Sequence, residues 1–355
     1  MLYKIFLKVL ANHLKSLLPT IITEHQSVFT KDRLISDNIL VAFKTLHSMQ
    51  KYNSSNSGYM AIKLDMSKAY DQVEWSFLEE LIVKMGFNER WINLIMLYVK
   101  IVTYSILIND EPRGLIHPPR GIRQGDPLSP FLFLLYTEGL NGLIKNAKIS
   151  GDIHGFSLCR RGPKLTHLLF ADDSLLLCRA TVDECDKVLH ILKAYERASG
   201  QKVNRGKTTL FFSKCTPKDI KTNIKHALGV QEIMHYEKYL GLPPLARKGK
   251  KASFNYIKER VWQNFKVGKG SYYHKKGGRE MLFKSVIQAI PTYTMGCFKI
   301  PLVLCQEIES LIKKIWWGQR CDRRKIHWIP WDELTNQNWW VVWALEIWLS
   351  TTTHF

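Results

Sequence analysis

The stretch that most constrains this chain is residues 167–178, in which two adjacent carboxylates, Asp172 and Asp173, lie between two apolar runs. An ionised carboxylate taken out of water is costly unless cations or hydrogen-bond donors meet it. The apolar runs, residues 168–170 and 175–177, predict two short strands joined by a hairpin turn. The acids then either face solvent as ordinary turn residues or hold a divalent metal ion, since hard cations prefer carboxylate oxygens. A third acid elsewhere in the chain is needed to decide.

Composition narrows the choice of partner. The chain has 355 residues, 46% of them hydrophobic, which is enough for a large core and more than one domain. Its 51 Lys and Arg against 31 Asp and Glu give a net charge of +20, which favours a polyanionic partner, with nucleic acid ahead of an anionic membrane surface. No apolar run reaches the roughly 18 residues of a membrane span, no signal-peptide pattern is present, and the cysteines form no C-x-x-C pair. We therefore expect a soluble intracellular protein.

The third acid is Asp65. Residues 60–65 alternate apolar and other side chains as a strand does, and Asp65 ends that run. An amphipathic helix that Gly86 ends follows it. Taken alone, Asp65 and Asp71 are also what the N-terminal end of a helix favours. Together with the acid pair at 172 and 173, Asp65 favours a shared site.

Two further segments carry polar side chains in unusual settings. Residues 120–130 form a basic loop with glycines that enters a helix, with Ser129 as the predicted N-cap and Pro130 as the first helical residue. Its glycines either let a base or phosphate approach the backbone or are simple turn residues. Residues 25–33 form a polar loop before residues 36–38, which are predicted to cap a helix.

The composition changes from Arg247 onward. Lysines and arginines accompany apolar residues at helical intervals, which predicts a basic helical module over residues 246–334 rather than a merely solvated charged face. From residue 335 to 355 no amphipathic periodicity remains. We hypothesise that this tail is out of frame or artefactual.

These motifs, in this order, resemble the reverse transcriptase of plant LINE-type non-LTR retrotransposons. The resemblance covers residues 3–334. It rests on the following motifs: residues 26–29 with Arg33 and residues 37–38, residues 64–71, 121–130 and 170–173, residues 199–200 through Lys207, and residues 239–241, 288–293 and 316–318.

The resemblance implies an α+β right-hand polymerase fold. Its palm is a small antiparallel sheet backed by helices. The implied ranges are about 1–60 and 87–125 for the fingers, about 61–86 and 126–245 for the palm, and 246–334 for a helical thumb-like region.

The implied activity is RNA-directed DNA polymerisation, in which two Mg²⁺ ions, or Mn²⁺ as a substitute, assist transfer of a nucleotide from a dNTP to a primer 3′-hydroxyl. The implied partners are an RNA template, a DNA primer and dNTPs, in the nucleus or cytoplasm. The implied metal ligands are Asp65, the Met66 carbonyl, Asp172 and Asp173. Lys207 resembles the lysine that protonates pyrophosphate. The implied nucleotide-binding residues are Arg33, Lys63, Tyr70, Gln124 and Gly125. The implied primer and template contacts are Tyr239, Leu240, Gly241, Arg247, Lys248, Lys250 and Lys251.

Departures from the family pattern keep two alternatives open. Residues 30–33 read Thr-Lys-Asp-Arg where the family usually has Pro-Gly-Arg, so the loop loses glycine's backbone freedom. Neither the family's endonuclease nor its zinc-binding region is recognisable, so a fragment of a polyprotein is expected. A maturase-like splicing protein and an inactive remnant that only binds nucleic acid are the alternatives.

Overall fold

The computed structural model describes residues 2–53, 58–159, 161–233, 239–242, 250–267 and 289–317. Contacts divide the chain into two compact units, Met1–His235 and Tyr236–Phe355. The predicted boundary between palm and thumb-like region, at 245/246, lies later in the chain than this division and stays a prediction. Within the described residues, no helix is long and apolar enough to cross a membrane.

The first unit is built on a five-stranded sheet in the order β6-β7-β1-β8-β9. Its strands are β1 (Tyr59–Leu64), β6 (His167–Phe170), β7 (Asp173–Arg179), β8 (Thr209–Phe212) and β9 (Gln231–Glu232). β1 pairs antiparallel with both β7 and β8, and only the β8–β9 pair is parallel. The apolar runs flanking the acid pair are therefore the two arms of a hairpin, as their pattern predicts.

Helices pack around this sheet. They are α1 (Leu2–Ile21), α2 (Ile35–Lys51), α3 (Trp75–Lys84), α4 (Glu89–Lys100), α5 (Ser129–Ile149), α6 (Val182–Ser199) and α7 (Lys218–Leu228). α5 lies deepest: five consecutive residues from Leu132 to Tyr136 are no more than 2% exposed. Because they cover more than one face of the helix, α5 is surrounded by core on several sides.

Two predicted caps differ from the structure by one or more residues. α5 begins at Ser129 with Leu128 as its N-cap, so Pro130 is the second helical residue and not the first. α2 begins at Ile35 with Leu34 as its N-cap, and no side chain caps it. The prediction that residues 36–38 cap α2 is wrong because the Asn38 amide is used elsewhere, donating to Ser27 Oγ and the Leu169 carbonyl.

Two small hairpins complete the first unit, β2 (Tyr104–Ile108) with β3 (Glu111–Ile116) and β4 (Phe156–Ser157) with β5 (Lys164–Leu165). Every residue of β2 and β3 is exposed. Asn109 and Asp110 form their turn, both with positive φ, as turn-favouring residues readily do.

The described part of the second unit contains α8 (Lys250–Val267), α9 (Ala289–Met295) and α10 (Leu302–Trp316). Phe254, Ile257 and Val261 of α8 are at most 1% exposed, so the apolar spacing of this basic segment forms a core. Glu307 of α10 pairs with Lys251 and Lys258 of α8 at 2.5 and 2.7 Å. The tail 335–355 lies outside the described residues.

Candidate active site

Strand pairing brings the predicted acids to one end of the sheet. The register between β1 and β7 ends at the pair Leu64 and Ser174. Asp65 follows Leu64, the last residue of β1, and Asp173 is the first residue of β7, so both acids lie at the same end of two neighbouring strands. Asp172 occupies the hairpin turn next to Asp173. Asp172 is exposed, whereas Asp65 and Asp173 are half-buried.

The three carboxylates influence one another electrostatically. Burial raises the pKa of the Asp173 carboxyl, the Lys63 ammonium group opposes that shift, and the charges of Asp172 and Asp65 add to it. Lys63 Nζ lies 3.8 Å from Asp173 Oδ1. Like charges gathered in this way are relieved by a bound cation.

The described residues contain no group of three or more His, Cys, Asp or Glu side chains close enough to form a ready-made metal cage. Magnesium is typically bound by one or two carboxylates together with substrate phosphates and water. The oxygen donor set suits a hard divalent ion.

Residues 202–208 fix the end of β1. The Asp65 N–H donates to Thr208 Oγ1 at 3.3 Å, and the Asp65 carbonyl accepts from the Asn204 N–H at 2.8 Å. Met66 forms an isolated antiparallel bridge with Val203. Because these bonds use backbone groups, the Asp65 carboxylate is left available. Lys207, which is exposed, lies in the same segment, one residue before Thr208.

Tyr70 lies near the acids. Its ring stacks on Phe133 of α5 with centroids 4.8 Å apart, and burial, then the nearby Asp172 carboxylate, raises the pKa of its phenol. The Tyr70 carbonyl accepts from the Ile122 N–H at 2.9 Å. The exposed pair Gln124 and Gly125 therefore belongs to a loop attached beside Tyr70.

The Arg33 guanidinium is held by backbone carbonyl groups. Its guanidinium donates to the backbone carbonyls of Ile22, at 2.9 Å, of Gln26, at 2.5 Å, and of Thr23. These bonds hold residues 22–26 against the loop that carries Arg33. Its contact with phosphate stays a prediction.

The predicted primer-positioning residues form a tight turn in the second unit. Tyr239 and Leu242 exchange both backbone hydrogen bonds at 3.0 Å, across Leu240 and Gly241, whose φ angles are positive. Tyr293 Oη donates to the Leu240 carbonyl at 2.7 Å. Arg247, Lys248 and the side chain of Lys250 lie outside the described residues.

Sequence reasoning missed a structural role for two residues of the fingers motifs. Gln26 Oε1 accepts from the Ala171 N–H in the hairpin turn, and Asn38 Nδ2 donates to the Leu169 carbonyl of β6. Both residues belong to the motifs that carry the resemblance. Their position in those motifs was the available signal, but no spacing rule connects residue 26 with residue 171.

A sheet with three acids at one end, an aromatic beside them and a glycine loop alongside matches the architecture that the motifs predict for a nucleic acid polymerase. The sequence profile of the family described as reverse transcriptase (RNA-dependent DNA polymerase) matches residues 1–256. The chain belongs to the reverse transcriptase family. The helices and the largely antiparallel sheet of the described residues confirm the predicted α+β class, and the family uses divalent metal ions.

Relatives fall among plant mitochondrial and retrotransposon proteins. An uncharacterized mitochondrial protein of Arabidopsis thaliana is 52% identical over 68 residues, 19% of this chain and 56% of that protein. A retrovirus-related Pol polyprotein from the type-1 retrotransposable element R2 of Popillia japonica is 35% identical over 121 residues, 34% of this chain and 16% of the polyprotein. A solved telomerase of Candida tropicalis aligns at 14% identity with a TM-score of 0.49, over 97% of this chain and 52% of the telomerase. The chain thus covers little more than half of the mitochondrial protein and of the telomerase, and 16% of the R2 polyprotein.

Proposed function

We propose that this chain carries the RNA-directed DNA polymerase centre of a non-LTR retrotransposon. It would join the α-phosphate of a dNTP to the 3′-hydroxyl of a DNA primer paired with an RNA template. The observation that carries the proposal is the meeting of Asp65, at the end of β1, with Asp172 and Asp173 at the β6–β7 turn. Family membership and the R2 relative support the same reaction.

Asp65, Asp172 and Asp173 are the residues we assign to hold Mg²⁺, with the Met66 carbonyl as a further ligand. When bound, two such ions about 3.5–4 Å apart stabilise the attacking and leaving oxygens of an in-line displacement. The role of Lys63 is to limit repulsion within the acid cluster, because it lies 3.8 Å from Asp173. Asp172, the most exposed acid, is the one best placed to meet substrate oxygens.

The neighbouring residues would bind and orient the substrates. Tyr70 presents its ring beside the acids, where it would pack against the sugar and exclude a 2′-hydroxyl. Gln124 and Gly125 would line the nucleotide and the template base. Lys207 would donate a proton to the leaving pyrophosphate. In the second unit, the 239–242 turn and the basic helix α8 would contact primer and template, chiefly through backbone phosphates.

The test is primer extension on an RNA template with Mg²⁺, repeated with Mn²⁺. We expect dNTP-dependent extension by the wild type and a loss of at least about 1,000-fold in Asp172→Asn, because an amide replaces a charged ligand without changing side-chain size. The matched control is Asp219→Asn, an exposed residue of α7. It makes the same chemical change away from the acid cluster and should keep wild-type extension.

Two results would redirect the proposal. A wild type that binds the hybrid but never extends the primer would favour an inactive remnant. Extension that survives in Asp172→Asn would contradict the assignment of the acid pair. A maturase-like role predicts in addition that the chain promotes splicing of an intron RNA, which the same protein preparation can test.

A further inference from the structure

Residues 25–38 cover the outer edge of the β6–β7 hairpin, which carries Asp172 and Asp173. β6 is the edge strand of the sheet. The Leu169 N–H donates to the His25 carbonyl at 2.8 Å, Gln26 forms a parallel bridge with Leu169, and Asn38 Nδ2 reaches the Leu169 carbonyl at 3.1 Å. An edge strand otherwise presents unpaired backbone groups. Here those groups tie the hairpin to residues 25–38.

Gln26 extends this connection to the turn itself. It is 0% exposed, and its Oε1 accepts from the Ala171 N–H and the Val28 N–H, each at 3.3 Å. Its Nε2 is buried without a hydrogen-bond partner among the described residues. An unpaired buried donor costs about 1–3 kcal/mol, so an apolar residue would suit the position better if only packing mattered. The amide oxygen is the part of Gln26 that the structure uses.

The backbone conformation of the turn is unfavourable for alanine. Ala171 has a φ of 51°, in the left-handed region. A residue with a Cβ pays about 1–2 kcal/mol there, and hairpin turns of this length usually place glycine at such a position. Asp172 follows directly, so its direction depends on the backbone angles of Ala171.

We propose that Gln26 is a positioning residue: its Oε1 holds the Ala171 N–H and thereby aims the Asp172 carboxylate toward a bound divalent ion. The inference rests on the proposed function, in which Asp172 is a metal ligand. Gln26 itself touches neither metal nor substrate. Residues that orient a metal ligand typically change affinity or activity by about 10–100-fold when removed.

The test compares Gln26→Leu, which keeps the volume but removes the acceptor, with Gln26→Glu, which keeps an acceptor oxygen. The matched control is Thr45→Val in α2, since Thr45 is also 0% exposed and its hydroxyl has no hydrogen-bond partner among the described residues. Two quantities are measured on folded protein: hydrogen exchange of the Ala171 amide, and Mn²⁺ affinity from the electron paramagnetic resonance signal of free Mn²⁺. Asp172→Asn is measured alongside.

We expect Gln26→Leu to exchange faster at Ala171 and to bind Mn²⁺ about tenfold more weakly. Thr45→Val should match the wild type in both measurements, and Gln26→Glu, which keeps an acceptor oxygen for the Ala171 N–H, should keep the wild-type exchange rate at Ala171. If Gln26→Leu does not fold, Gln26→Asn, which keeps the amide but is one methylene too short, is expected to show the same losses.

Unchanged exchange and Mn²⁺ affinity in Gln26→Leu, with weakened binding in Asp172→Asn, would overturn the inference. A wild type that binds Mn²⁺ through Asp172 but never extends a primer would contradict only the polymerase proposal. Amide exchange at Ala171 and Mn²⁺ affinity would still test the role of Gln26. An Mn²⁺ affinity that is the same in Asp172→Asn as in the wild type would overturn both.

Discussion

At the scale of single residues, Asp173 carries a conflict between stability and function. Burial and the charges of Asp172 and Asp65 make its carboxyl harder to ionise in the folded protein than in the unfolded chain, and Lys63 relieves this only in part, since the pKa stays raised. Ionised Asp173 therefore lowers the free energy of unfolding at every pH above its folded pKa. Such unfavourable charges are common where a protein binds a cation.

Asp173→Asn should consequently stabilise the metal-free protein while impairing catalysis. We predict a rise in Tm of about 1–2 °C near pH 7, kept small because a third of the Asp173 side chain is exposed to water. The gain should shrink as the pH falls through the raised folded pKa and vanish below about 3.9, the unfolded value, because Asp173 is then neutral in both states. Thermal melts in EDTA across this range check it. Asp219→Asn, which removes a carboxylate from the first turn of α7, is the comparison and should not raise Tm, because that position favours a negative charge.

A lower Tm for Asp173→Asn near pH 7 would mean that the attraction between Lys63 and Asp173 outweighs the cost of burial and repulsion. It would also mean that the acid cluster is not a strained site in the absence of metal. The Lys63–Asp173 separation of 3.8 Å, at the long end for an ion pair, favours the predicted sign.

The meeting of Asp65 with Asp172 and Asp173 at one end of the sheet could be predicted from the sequence, whereas the contact between Gln26 and the turn could not. Asp65, Asp172 and Asp173 adjoin apolar runs, where an ionised carboxylate is costly unless a cation or a hydrogen-bond donor meets it. The hydrogen bond between Gln26 and Ala171 joins residues 145 positions apart, and it depends on how a loop lies along a sheet edge. Arg33 shows the same limit, because a basic residue in a polar loop serves backbone carbonyls as readily as phosphates.

At the scale of elements, the glycine loop before α5 is attached to the segment that follows Asp65. Gly121 donates its N–H to the Val73 carbonyl at 2.8 Å and has a φ of 94°. A Cβ placed on Gly121 would lie 3.1 Å from the Asp71 carbonyl oxygen, whereas one on Gly125, with a φ of 87°, would meet nothing within 4 Å. Both glycines thus have a positive φ that disfavours a residue with a Cβ. Only at Gly121 would a Cβ also come close to another backbone atom.

This difference predicts unequal effects of alanine. Both Gly121→Ala and Gly125→Ala should lose about 1–3 kcal/mol to the positive φ. Gly121→Ala should lose roughly 1–2 kcal/mol more, because the Asp71 backbone cannot move aside without disturbing the end of the Asp65 segment. Urea titrations of both variants measure the gap between them. Equal midpoints would show that the loop shifts freely and is not fixed to that segment.

Periodicity predicted the elements better than it predicted their ends. The hairpin around residue 172, the amphipathic helix α3 before Gly86 and the apolar face of α8 all follow from spacing, because each has one consistently buried side. The start of α5 and the cap of α2 did not follow, since Ser129 and Asn38 are good caps by type but are used differently. Capping depends on which side chain has no better partner, and that is decided by tertiary contacts.

At the scale of the whole molecule, a net charge of +20 predicts binding to nucleic acid that weakens steeply with salt. In the second unit, one carboxylate neutralises part of this positive charge. Glu307 pairs with Lys251 at 2.5 Å and Lys258 at 2.7 Å, and these two lysines lower the pKa of its carboxyl to about 2. Lysines engaged in this way are less available to phosphates.

Removing that carboxylate should therefore strengthen binding of an RNA–DNA hybrid. We predict that Glu307→Gln tightens binding about threefold at low salt and makes the slope of log K against log salt steeper by about 2, because Lys251 and Lys258 each gain a phosphate contact. Glu309→Gln is the matched control: it makes the same change in net charge on the same helix, but its carboxylate pairs with Lys313 of α10 itself, 2.9 Å away. Fluorescence anisotropy across a salt series measures both variants.

Equal tightening in the two variants would mean that only total charge matters. A larger effect of Glu307→Gln would place the α8 lysines on the path of the nucleic acid backbone.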